Sequence, residues 1–382
     1  MAYQLNEEQR MIRAMVRDFA RDTILPTAAE RDQTCEFPAE NLKKMGELGL
    51  MGMNVPPEYN GAGVDTVSYS LALQEIAYAC ASTAVVMSVH NSVACGPVYL
   101  FGSDYLKENY LKDLAAGEKI GSFALTEAGA GSDPASQRSR AVRDGGSYVI
   151  NGAKMFITSG KNSDVTVVTA YTDRDKRHRG ISAFVVEKGT PGFSVSKEEK
   201  KMGLRASDTA ELIFEDCRVP AENLVGEEGD GFRIAMASLD GGRIGIASQA
   251  LGVGLAATEA AVSALRRGAV SGGQGAQFAL ADSATELEAA RLLTLRAAWL
   301  KQMGQPFSHQ ASMAKLMASE GAWRACNRAL DVLGAPALSR AHDAQRFFRD
   351  VRVTMIYEGT SEIQRVVIVR DILRRFAEEV RQ

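Results

Sequence analysis

The sequence predicts an α+β, multidomain chain in three parts: an N-terminal helical domain over residues 1–118, a middle antiparallel β sandwich or barrel over 119–230, and a C-terminal four-helix bundle over 231–382. Three observations lead there. A length of 382 residues exceeds what one hydrophobic core serves, so several domains are expected. The spacing of apolar residues changes near Ile120, from helical periodicity to short β-branched and aromatic runs, and changes back near Gly231. Four long Ala/Leu-rich segments then close the chain, and long helices joined by short loops pack naturally as a bundle.

The first helix is expected almost at once, because Asn6 and Gln9 have capping-box spacing and Ile12, Met15, Val16 and Phe19 fall on one helical face. Breaks are expected at Pro26, at "EFPAE" and at "VPPEYNGAGVD", where Pro and Gly cluster. In the middle part the runs "GSFALTE", "GSYVING", "DVTVVTAYT", "GISAFVVEK", "GFSVSK" and "AELIFED" read as strands between turn residues. The bundle helices are expected at about 231–266, 277–303, 309–333 and 360–380. "GVGLAA", Gly252–Ala257, matches a dinucleotide fingerprint, but no strand precedes it. Small residues for close helix packing explain it better.

Composition removes several function classes. A formal net charge of -3, with acids and bases interspersed, gives no electrostatic reason to expect nucleic acid or a membrane surface as partner. No run approaches the roughly 20 apolar residues of a membrane span. The five cysteines are scattered without a Cys-x-x-Cys, which fits a reducing compartment and no zinc. The immediate helix start leaves no room for a transit peptide, so cytoplasm is expected. None of the four histidines follows a Glu by three positions, so a di-iron bundle site and any other metal are not expected. No nucleophile-elbow pattern offers a carrier for hydrolase chemistry.

The chemistry-bearing stretch is "MIYEGTSEIQR", Met355–Arg365. Taken alone, Glu358 reads as a solvated turn residue before a helix whose N-cap is Thr360 or Ser361, with Glu362 in its first turn. Four further strings stand in order before it: "FALTEAGAGSD", "KMFITSG", "KMGLRASDTAELIFEDCRVP" and "SLDGGRIGIASQALG". Together, nearly end to end, these five resemble the acyl-CoA dehydrogenase family, most closely its short-chain and branched-chain branch.

The resemblance implies an oxidoreductase, a flavoprotein with FAD as cofactor, that removes two hydrogens across the Cα–Cβ bond of an acyl-CoA and gives the trans-2-enoyl thioester. It also implies fatty-acid β-oxidation as the setting, an electron-transfer flavoprotein as acceptor, and a homotetramer built as a dimer of dimers. Glu358 would be the catalytic base. A proton alpha to a thioester is a poor acid, so the base needs a dry site that raises its pKa, plus donors for the developing enolate oxygen. Tyr357 and Gly359 would flank the substrate, with Gly359 allowing close approach. Phe123, Leu125, Thr126, Gly131 and Ser132 would line the flavin on one side, and Phe156, Ile157 and Thr158 on the other, with Thr360 and Gln274 as further cofactor contacts. Ser132, Asp240 and Arg243 would meet the CoA portion or surround the base, although Asp240 and Arg243 also have the spacing of an intrahelical ion pair.

Two departures fall on the ADP half of the expected cofactor site. "RRGAVSGGQ" is shortened and lacks an Arg followed by Phe-Gly, leaving Gln274 with Arg266 or Arg267 as substitutes. "DVLGAPA" carries Asp331 where the family has Gln before Leu-Gly-Gly. An accessory subunit with lost or partner-dependent FAD binding therefore stands as an alternative. So does acyl carrier protein in place of CoA.

Overall fold

The computed structural model describes residues 4–379. Helices α1 (Glu7–Phe19), α2 (Leu25–Thr34), α3 (Ala39–Glu47), α4 (Thr66–Ala79), α5 (Ala81–Val89), α6 (Gly96–Phe101), α7 (Asp104–Leu106) and α8 (Lys112–Ala116) come first. The capping box is present, with Asn6 accepting from the Gln9 N–H and the Gln9 side chain accepting from that of Asn6. Pro26 does not break the chain as expected. A π-helical stretch, Ala20–Ile24, joins α1 to α2, and Pro26 sits in the first turn of α2, where its missing N–H costs nothing.

Eight strands follow: β1 (Gly121–Ala124), β2 (Arg140–Asp144), β3 (Ser147–Thr158), β4 (Val165–Tyr171), β5 (Ile181–Glu187), β6 (Phe193–Glu198), β7 (Thr209–Pro220) and β8 (Leu224–Val225). The antiparallel pairing expected from the sequence needs correcting at two strands. The strands form one mixed sheet in the order β6-β7-β3-β2-β4-β5-β8, with β1 on β4, and both β1 and β2 run parallel to β4. The crossover that parallel pairing requires is supplied by long connections, not by hairpins.

The remaining helices are α9 (Gly231–Arg266), α10 (Gln274–Gln302), α11 (Ser308–Leu333), α12 (Asp343–Val351) and α13 (Ser361–Glu379). The last residue of the fourth expected segment, 380, lies outside the described residues. α12 was not expected; it is short and lies between two of the long segments. α9 is the axis of the fold and packs on α4, α5, α10, α11 and α12. Its glycines permit this: a Cβ on Gly252 would lie 2.4 Å from the Gln74 carbonyl oxygen, and one on Gly254 would lie 2.8 Å from Leu287 and 3.0 Å from Ala322. "GVGLAA" is thus a helix-packing stripe. Helices Gly231–Arg266 and Ala81–Phe101 are long and apolar enough to cross a membrane, yet their most apolar 18-residue stretches are 78% and 72% buried inside the protein.

Arg349, on α12, joins all three parts. Its guanidinium donates to Asp32 of α2 at 3.0 Å and to the Met202 carbonyl at 2.9 Å. Beside it, the Asp350 carboxylate accepts from the Leu204 N–H at 2.6 Å.

Candidate active site

The turn between the 3₁₀ segment Arg352–Met355 and α13 carries two consecutive left-handed residues, Glu358 at φ 54° and Gly359 at φ 89°. Such a conformation is unfavourable for glutamate and persists only where its surroundings over-determine it. Here they do. The Gln364 amide donates to the carbonyls of Glu358 at 3.2 Å and Gly359 at 2.9 Å, and the Lys315 ammonium donates to the Gly359 carbonyl at 2.7 Å. Thr360, as N-cap, accepts from the Ile363 N–H at 3.3 Å.

The turn drives the Glu358 side chain against α9. A Cβ on Gly242 would lie 1.9 Å from Glu358 Oε2, so only glycine leaves the carboxylate its space. Oε2 is buried without a hydrogen-bond partner. Burial pushes the Glu358 carboxyl up to about 7, against the opposing pull of Arg243 and Lys315. The solvated reading of this residue is overturned. Asp240 and Arg243 do form the intrahelical ion pair, but that pair also belongs to the site: Ser308 donates to Asp240 at 2.8 Å, and Arg243 Nε stays buried and unpartnered.

Tyr357, preceding the base turn, donates its hydroxyl to Gln249, whose amide donates to the Ala81 carbonyl at 2.9 Å. Gly245, one turn of α9 beyond Gly242, faces Ser88 and Tyr69, with 3.0 Å from its would-be Cβ to the tyrosine hydroxyl. One face of α9 therefore reads carboxylate, small residue, then a polar bridge to α5.

In the sheet, Phe123 of β1 is half-buried and packs against both the bundle core and the cluster beneath β4 and β5. Leu125 is buried, and the Thr126 carbonyl accepts from the Met155 N–H at 2.8 Å, which lays the Phe123–Thr126 stretch beside the end of β3. There the register slips between Lys154 and Ile157; Phe156 turns left-handed at φ 58° with its ring 60% exposed, while Ile157 is buried and Thr158 half-buried. Gly131 and Ser132 are exposed, and Gly131 has open space around it. The hydroxyls of Thr126, Ser132 and Thr158 have no hydrogen-bond partner among the described residues. An exposed aromatic face, apolar neighbours and free hydroxyls fit the ring end of a flavin.

Gln274 is not brought to this place. It is the exposed first residue of α10, beyond the far end of α9, and the 24 residues from Gly242 to Arg266 rise about 36 Å. Asp331 is exposed. The sequence reading also passed over several residues. Lys154, fully buried, donates to the Leu125 carbonyl at 3.0 Å, Glu127 at 2.9 Å and Gln137 at 2.8 Å. Lys315, Gln364, Gln249 and Gly242 were likewise assigned no role. A lysine inside a strand run and another inside "SMAKLMAS" were the available signals, since a cation among core-facing residues needs a specific partner.

The acyl-CoA dehydrogenase N-terminal, middle and C-terminal domain models match residues 6–118, 122–217 and 229–373. The chain is 50% identical over 378 residues to the mitochondrial short-chain specific acyl-CoA dehydrogenase of Mus musculus, covering 98% of this chain and 92% of that one. Among solved structures it is similar to butyryl-CoA dehydrogenase from Megasphaera elsdenii, with TM-score 0.95, 40% identity, and 98% of this chain and 100% of that one covered. A chain solved in work on the electron transferring flavoprotein of Acidaminococcus fermentans aligns with TM-score 0.96 and 44% identity over 98% of this chain and 100% of that one. A buried carboxylate oxygen on a strained turn, a helix glycine that leaves it room and family matches across all three parts lead to one assignment: this chain belongs to the acyl-CoA dehydrogenase family.

Proposed function

We propose that the chain oxidises a short or branched acyl-CoA to its trans-2-enoyl-CoA, with Glu358 abstracting the α-proton. The observation that carries this is the buried, unpartnered Glu358 oxygen, held in a dry site that brings its carboxyl up to about 7. A base with a pKa near the working pH combines a useful ionised fraction with real basicity. The Glu358 N–H, free of protein partners among the described residues, is the donor for the thioester oxygen. FAD, when bound, supplies the acceptor for the β-hydride, chemistry no side chain offers. Phe123, Leu125, Thr126, Gly131, Ser132, Phe156, Ile157, Thr158 and Thr360 would hold its ring end, and Arg243 with Asp240 would keep the mouth of the base pocket polar.

The short-chain reading has support on α9. Gln249 lies seven residues from Gly242, about 10 Å along the helix, and its bridge from Tyr357 to the Ala81 carbonyl closes that path. The similarity to a short-chain specific enzyme agrees. An electron transfer flavoprotein is the proposed acceptor, supported by the kinship with a chain from a system containing one. We propose a homotetramer, because Val366, Val369, Leu373 and Phe376 lie exposed at helical spacing along α13. Gln274, too distant to join its own chain's site, would then serve a neighbouring subunit. Five free cysteines support a reducing compartment such as cytoplasm.

The purified protein tests this directly. Flavin absorbance bands that bleach on adding butyryl-CoA, with rates falling as acyl chains lengthen, are expected. A colourless protein that FAD cannot reconstitute would instead support the accessory-subunit reading, and bleaching only by acyl carrier protein thioesters would support the alternative carrier.

A further inference from the structure

The buried ammonium of Lys315 has no role in the chemistry described so far. It stands on α11, 0% exposed, and its one hydrogen bond is to the Gly359 carbonyl at 2.7 Å; no carboxylate lies within ion-pair distance of it among the described residues. A desolvated cation without a salt-bridge partner is costly unless something nearby uses its charge. The charged and titratable groups around it are Glu358 on the base turn, Arg243 on α9, Glu362 on α13 and Glu320 on α11 itself. Glu362 is exposed, and Glu320 pairs with Arg365 at 2.6 Å. Arg243 is committed to Asp240. Glu358 alone is left with a buried, unpaired oxygen.

We propose that Lys315 is a positioning residue for the base. Its ammonium clamps the Gly359 carbonyl, together with Gln364, to hold Glu358 in the left-handed conformation, and supplies the positive charge that keeps the carboxylate ionised enough to accept a proton. The two functions divide between the two clamp residues. Gln364 contributes hydrogen bonds to the Glu358 and Gly359 carbonyls but no charge. Lys315 contributes both. Burial in turn pulls the Lys315 ammonium down to about 7, so clamp and base titrate in the same range. The proposal rests on the reading of Glu358 as base, and its test keeps the two apart.

The protonated carboxyl band of Glu358 is followed by infrared difference titration in the FAD-loaded enzyme, identified by its loss in Glu358→Gln. Alongside it, kcat for butyryl-CoA is measured against pH. Lys315→Gln is expected to raise the band midpoint by about one pH unit and to move the acid limb of kcat by the same amount, a loss of about tenfold below pH 6. Lys315→Arg, whose charge persists through the whole titration, should leave the midpoint in place or lower it. Gln364→Met should lower kcat without moving it. A midpoint unchanged in Lys315→Gln, or raised equally in Lys315→Arg, overturns the proposal; should the Gln variant not fold, Lys315→Met is the neutral replacement read in its place, with the same two outcomes. Undiminished turnover in Glu358→Gln would defeat the base reading instead, while the band titration would still report whether Lys315 controls this carboxyl.

Discussion

Glu358 and Gly242 compete for one volume, and that competition sets the behaviour of the site. Replacing the proposed base by its amide, Glu358→Gln, should lower kcat by about a hundredfold to ten-thousandfold while the protein still binds acyl-CoA, measured by flavin bleaching and by titration with substrate. In the native enzyme kcat should rise with pH through about 7, because the carboxyl must lose its proton to act, and the amide variant should lose that limb. Gly242→Ala should be nearly as damaging to kcat, since its methyl would sit 1.9 Å from Glu358 Oε2, and the carboxylate must swing away; a rate within threefold of the native one would refute this. The residue itself was legible in "IYEGTSEIQR", and so was the helix cap after it. Its burial was not, because the glycine that makes room lies 116 positions earlier and no local pattern connects them.

At the scale of elements, the stretch that follows β1 depends on a charge inside the sheet. Lys154 ties the Leu125 carbonyl to Glu127, and Glu127 accepts from the N–H groups of Arg138 at 2.5 Å and Ser139 at 3.0 Å. Burial works against ionisation of Glu127, but the Lys154 charge and these donors outweigh it and hold the carboxyl below its ordinary range. Burial, outweighing the opposing pull of Glu127, draws the Lys154 ammonium down to about 8, yet it remains charged at neutral pH. Lys154→Met should therefore strand Glu127 and cost about 3–5 kcal/mol, seen as a lower denaturant midpoint and easier loss of flavin. The six strand runs and the four long helices were readable from periodicity. Strand β2 was missed because Arg140–Asp144 is exposed and charged, reading as a loop. The direction of pairing was missed because alternation reports which face is buried and says nothing about whether a neighbour runs the same way.

For the whole molecule, the exposed apolar face of α13 is the feature a single chain leaves unsatisfied. Leu373, 63% exposed, and Phe376, 65% exposed, lie one turn apart on it. Leu373→Glu combined with Phe376→Glu should reduce a tetramer to smaller species in sedimentation velocity, and the flavin should dissociate more readily if Gln274 reaches a neighbouring subunit; an unaltered sedimentation coefficient would exclude this face as the contact. The division of the chain into three parts was evident in the sequence, but nothing in it announced how they are fastened. Arg349 reaches Asp32 and the Met202 carbonyl from a helix that ends seven residues before Glu358. A change at Asp32 on α2, or in the loop 201–208 that Arg349 and Asp350 hold, therefore loosens the end of α12 a few residues ahead of the Glu358 turn, and should lower turnover without altering any residue of that turn.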